Sequence, residues 1–148
     1  MAGGELLQAM SERSTYAVER LLRVRADKPF KWGTHDCAML AFDAVLMLTG
    51  RDPAHDLRGK WADAKGAMRT LQAHGGWTAV AAQRFGHEIA PADAEPGDVL
   101  LIDPQACTEE MAGCGALAVR WGEGGVAQGP AGLLAVPLSA ATRAWRAA

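Results

Sequence analysis

The sequence has little of what would place a protein in a membrane, on nucleic acid or in a disulfide-stapled scaffold. No apolar run reaches the roughly 18 to 20 residues of a bilayer span, so no membrane span is expected. The opening MAGGELLQAM has no basic region leading into an apolar stretch, so no secretory signal is expected. Basic residues are not in excess: 15 Lys and Arg stand against 17 Asp and Glu, a formal charge of −2. That balance excludes the basic stripe of a nucleic-acid surface. Three cysteines are too few, and odd in number, for a disulfide framework; they point to reduced thiols in a cytosolic folding environment. No internal repeat and no low-complexity segment is present. Histidine is scarce, four residues in all, and none follows His87.

What remains is the composition of an ordinary globular chain. Of 148 residues, 49% are hydrophobic and 22% charged, enough for one domain to bury a core without disulfides or metal. The first half reads as helices. Residues 12–25 carry Val18, Leu21 and Leu22 on one face, with Ser11 and Ser14 as candidate N-caps. Cys37 to Leu48 is apolar on all sides apart from Asp43, the mark of a helix at the centre of a domain, and Gly50 stops it. A loop over residues 51–59, a helix over 60–73 closed by His74-Gly75-Gly76, and a shorter helix over 78–85 follow. After PADAEPGD the pattern changes to short apolar runs bounded by turn residues: 99–102, 116–121, 125–128 and 133–136, each read as a strand. Residues 139–146 read as a terminal helix capped by Ser139. Helices first and a small antiparallel sheet second make an α+β domain.

The stretch that most resembles a chemical centre is PFKWGTHDCAML, residues 29–40. A cysteine opening a helix lies where unpaired N–H groups and the helix dipole favour a thiolate, and the same N–H groups can line an oxyanion hole. The competing reading is a small apolar residue that packs the helix, the commonest use of a buried thiol. Asp36 or Thr34 caps the helix in either case.

The order of these elements resembles the NlpC-type cysteine peptidases, papain-like proteins that cut bacterial cell-wall peptides. Trp32-Gly33 and Asp36-Cys37 match the W-G and D-C elements of that family, and Gly97-Asp98 before VLLID matches the G-D that opens its sheet. More closely, the chain is similar to a family of small NlpC-like proteins encoded among the tail genes of phages and prophages. The shared features are WGTHDC, TGRDP, AHGGW, PGDV and GPAGLLAVPLSAATRAW, running from about Phe30 to Trp145. The resemblance implies one NlpC-like domain, with N-terminal helices on a small antiparallel sheet; residues 1–148 are read as that single domain, with a flexible stretch expected at residues 1–10.

It also implies a site. Cys37 becomes the candidate nucleophile, Asp36 the cap of its helix, and a histidine is required at the start of the second strand. The matching run is GALAVRWG, and the histidine position falls on Ala116; the orienting residue of the next strand falls on Gln128. The implied function is therefore a virion tail component, at the tail tip or in tail assembly, made in the host cytoplasm and catalytically degenerate. Its implied partners are other tail proteins and peptidoglycan. The alternative is an active cysteine peptidase or amidase that cleaves peptidoglycan peptides through Cys37, with His35 or His55 as a non-standard base. His74, before two glycines, reads as a helix-end residue and His87 as a surface one.

Other features have plainer readings. Cys107 and Cys114 are spaced C-x6-C, unlike a zinc knuckle, and have no nearby histidine, so no metal and no cofactor are expected. WGEGG, residues 121–125, is a hairpin turn rather than a phosphate loop, since no Lys-Ser or Lys-Thr follows it. Asp36 and Asp43 share a face as solvated or arginine-paired carboxylates. Trp61, Trp77 and Trp145 read mostly as core.

Overall fold

The computed structural model describes residues 15–103 and 116–147. Within them lie four helices and one six-stranded sheet: α1 over residues 15–25, α2 Cys37–Thr49, α3 Ala64–Ala73 and α4 Trp77–Arg84, then β1 Glu88–Ile89, β2 Val99–Ile102, β3 Ala116–Trp121, β4 Gly124–Gln128, β5 Leu133–Val136 and β6 Ala141–Trp145. The strand order is β1-β6-β2-β3-β4-β5, antiparallel at every pairing. Helices precede a small antiparallel sheet, as the change of periodicity predicts.

The central helix follows from its sequence. Asp36 leaves the extended backbone to cap α2, its carboxylate accepting from Met39 N at 2.9 Å. With eight buried residues from Cys37 to Val45, α2 has almost no solvent face. It lies across β3, and its apolar surface meets both the sheet and the other helices. The helix ends at Gly50, whose φ of +78° is the left-handed conformation that glycine adopts without strain, and the Gly50 N–H closes on Leu46 O at 2.8 Å. The polar residue on this helix is neutralised: Asp43 is paired with Arg25 of α1 and with Arg58 at 2.8 Å. α1 packs Val18 and Leu22 against Leu40, Ala44 and Val119, so its apolar stripe is used as expected, while Ser11 and Ser14 lie outside the described residues.

The third helix starts later than its composition suggests. Asp63 caps it, accepting from Gly66 N at 2.7 Å, so residues 60–62 stay outside. The larger correction is at the C-terminus. Residues 139–146 do not form a helix: Leu138–Ala140 is a single 3-10 turn, and Ala141–Trp145 is the strand β6. Alanine-rich sequence favours helix, but β6 fills the gap between β1 and β2 and satisfies backbone groups of both. Trp145 on it is buried to 1% in the main core beside Phe42 and Phe85. Asp98 fixes this end, accepting from Glu95 N at 2.8 Å, Ala147 N at 3.0 Å and Arg146 Nη1 at 2.8 Å. The Gly-Asp pair before β2 is thus a clamp on the C-terminal strand. The WGEGG stretch is the expected hairpin, with Gly122 and Glu123 joining β3 to β4. Cys107 and Cys114 lie outside the described residues.

Candidate active site

Gly33 shows why the turn before Cys37 has its sequence. Its φ is +88°, and a Cβ there would stand 2.4 Å from Trp61 O, so only glycine lets the two segments approach. The Gly33 N–H donates to Asp36 Oδ2 at 2.7 Å, and Trp61 Nε1 donates to the same oxygen at 2.8 Å. With Met39 N on Oδ1, one buried carboxylate ties the turn, the helix start and a distant tryptophan together. Asp36 is a positioning residue, and the three hydrogen bonds it accepts hold the turn, the helix start and Trp61.

Cys37, the first residue of α2, is 4% exposed. On its sheet side it belongs to a buried cluster with Ala94, Leu100, Ile102, Ala116, Ala118, Ala127 and Ala144. Ala116 opens β3 and is 2% exposed, so the strand position matched to a histidine carries a methyl group inside an apolar cluster. Gln128, at the end of β4, is fully buried. Its Nε2 donates to Lys28 O and Gly129 O, both at 2.9 Å, while its Oε1 has no hydrogen-bond donor among the described residues. The residue that the resemblance matches to the orienting position is present, and its amide is bonded to backbone carbonyls.

On the other side, Cys37 lines a pocket of about 40 Å³ with Trp32, Asp36, Trp61, Leu71, His74 and Trp77. α3 and α4 supply the outer wall. The pocket is apolar apart from Asp36, Thr70 and His74, and Thr70 Oγ1 is bound to Gly66 O at 2.9 Å.

The four histidines separate clearly. His35, two residues before Cys37, pairs its backbone with Lys31. Burial holds its pKa below the ordinary histidine value, and the positive charges of Arg25, Lys28 and Lys31 push it the same way, against Asp43. It therefore belongs to a cationic patch and does not line the Cys37 pocket. His55 is a surface residue, its side chain 80% exposed and 3.9 Å from Asp56 in the loop after α2. Neither residue expected as a weak base lines the pocket with Cys37. His87 is exposed at the start of β1. His74 is the C-cap of α3, its N–H bound to Thr70 O and Leu71 O, as its place before two glycines suggests. It nevertheless also lines the Cys37 pocket. Local reading missed this because the pocket forms only when α3 and α4 fold back over α2. Gly75 and Gly76, both at φ +91°, make that reversal, and they are the signal that could have found it.

Comparisons with known proteins agree with this architecture. The structure is similar to the crystal structure of the NlpC/p60 domain of the peptidoglycan hydrolase SagA, with a TM-score of 0.54 and 19% identity over 88% of this chain and 97% of that one. At that identity the likeness shows the fold: the chain has an NlpC-like α+β fold. No curated protein matches the sequence. A family model described as Domain of unknown function (DUF6950) matches residues 12–147, and the chain belongs to that family.

Proposed function

We propose that the chain is a component of a bacteriophage or prophage tail, built on an NlpC-type peptidase fold that no longer performs peptide hydrolysis. The observation that carries the second half is Ala116, buried in one cluster with Cys37 at the strand position where the resemblance requires a histidine. A cysteine nucleophile needs a group that takes its proton and returns it to the leaving amine. A methyl group does neither, and the neighbouring Ala118, Ala127 and Ala144 do not replace it. The tail role is supported by the run of shared motifs from WGTHDC to the closing GPAGLLAVPLSAATRAW. In this reading the domain is made in the host cytoplasm, joins other tail proteins at the tip or during assembly, and meets peptidoglycan as a binding surface. A working peptidase or amidase with Cys37 as nucleophile predicts the opposite result in a hydrolysis assay.

The test has two arms. Peptide mapping of purified particles should find the chain in tail fractions, and its absence from them would sink the tail assignment. Purified peptidoglycan incubated with the protein should release no more peptide fragments than it does with Cys37→Ala.

A further inference from the structure

Among the described helices, the one that closes the pocket over α2 is the least bound to the rest of the domain. We propose that α3 is a lid: residues 62–75 leave α2 together, between an anchor at Trp61 and a hinge at Gly75-Gly76, and uncover the pocket while α2, α4 and the sheet stay folded. The tail role neither requires this device nor supplies it.

The argument starts from what holds each helix. α3 buries none of its ten residues, whereas α2 buries eight and α4 buries Val80 and Ala81. What α3 contributes is one wall of the pocket, through Ala67, Met68, Leu71 and His74, and of these Leu71 packs against the main core. Its polar groups add nothing to the attachment. Among the described residues, no hydrogen bond or ion pair runs from residues 63–75 to a segment outside 61–76. Asp63 caps its own helix at Gly66 N, Thr70 Oγ1 returns to Gly66 O, and the last turn closes on His74, Gly75 and Gly76. α4, by contrast, is tied down by Arg84, which donates to Pro53 O and Asp56.

The two ends suit such a motion. Trp61 stays with the body of the domain, its Nε1 donating to buried Asp36 at 2.8 Å. At the other end Gly75 and Gly76 stand in succession at φ +91°, and a Cβ on Gly76 would meet nothing within 4 Å, so the chain has room to turn there. Behind the lid lies the cavity of about 40 Å³, with Cys37, Ala38 and Phe42 of α2 on its far side. Opening separates Leu71 and its pocket neighbours from that surface and breaks no hydrogen bond or ion pair to the domain. Once released, a helix of ten residues is too short to hold itself in water. Opening and melting of α3 are therefore one event, which amide exchange reads.

Native-state hydrogen exchange on the full chain, read by mass spectrometry, tests the lid. The α3 amides should exchange at least about a hundredfold faster than those of α2 after correction for intrinsic rates, and sub-denaturing urea should leave their rates unchanged. Ile102→Val, in the sheet cluster and outside the pocket lining, weakens the whole domain. It should speed α2 exchange by about three- to tenfold and leave α3 exchange as in the parent. In the chain with Cys107→Ser and Cys114→Ser, Cys37 serves as a passive marker of the far wall. Iodoacetamide should label it more slowly than glutathione by about the factor that protects the α3 amides, not by the larger α2 factor. Exchange of α3 and α2 at one rate, with an equal response to Ile102→Val, would overturn the lid. Labelling of Cys37 at the α2 factor, or with no protection at all, would overturn it as well.

Discussion

Replacing Asp36 with alanine should be the most damaging small change near the site, and its cost can be worked from the contacts. The carboxylate accepts from Met39 N at 2.9 Å, Gly33 N at 2.7 Å and Trp61 Nε1 at 2.8 Å. Loss of an N-cap costs about 1 kcal/mol. Gly33 N and Trp61 Nε1 each lose an acceptor in partly buried surroundings, near the lower end of the roughly 1–3 kcal/mol for an unsatisfied group. The sum is about 3–4 kcal/mol. With a urea m-value of about 2 kcal/mol/M, the unfolding midpoint should fall by about 1.5–2 M at unchanged m. Asp36→Asn keeps one acceptor oxygen but sets an amide against N–H donors, so its loss should fall between wild type and alanine. Equilibrium urea unfolding followed by tryptophan fluorescence measures both. A shift below about 0.5 M for Asp36→Ala, or an asparagine variant as damaged as the alanine one, would refute the assignment of Asp36 as the link between turn, helix and Trp61.

Three further expectations follow from the same contacts. Gly33→Ala should lose at least about 2 kcal/mol in urea unfolding, because the left-handed φ and the 2.4 Å approach of its Cβ to Trp61 O act together. Asp98→Ala should release the C-terminal strand, seen as faster hydrogen exchange over β6 than in wild type, since Glu95 N, Ala147 N and Arg146 all lose their acceptor. His35, whose pKa is lowered in the folded chain by burial and by Arg25, Lys28 and Lys31, favours folding while it is neutral. That stability is present above the unfolded value of about 6.5 and is lost as pH falls through it toward the folded pKa. Thermal melts between pH 7.5 and 5.5 should therefore show a falling midpoint that His35→Gln makes flatter.

Much of this fold is legible where its cause is local. The Asp36 cap and the glycine stop of α2 depend on neighbours a few residues away, and β2, β3 and β5 are apolar runs set off by turn residues. Residues 139–146 fail as a helix because pairing with β1 and β2, distant in sequence, decides their state. The site divides in the same way. Asp36 caps α2 and Cys37 opens it, as the motif suggests, and Ala116, which the resemblance matches to a histidine, opens β3. His74 shares the Cys37 pocket only through the packing of α3 and α4, of which the Gly75-Gly76 reversal is the one local trace. Trp61 likewise has two roles that spacing does not reveal, a donor to Asp36 and a pocket wall.

The central claim is that an NlpC-like fold with alanine in place of the strand histidine does not hydrolyse peptides. Its most direct measurement is the release of soluble peptide fragments from purified peptidoglycan by wild type and by Cys37→Ala, quantified side by side by mass spectrometry. The account predicts indistinguishable release from the two proteins, at the level of the buffer control. Fragments released by wild type and abolished by Cys37→Ala would contradict it.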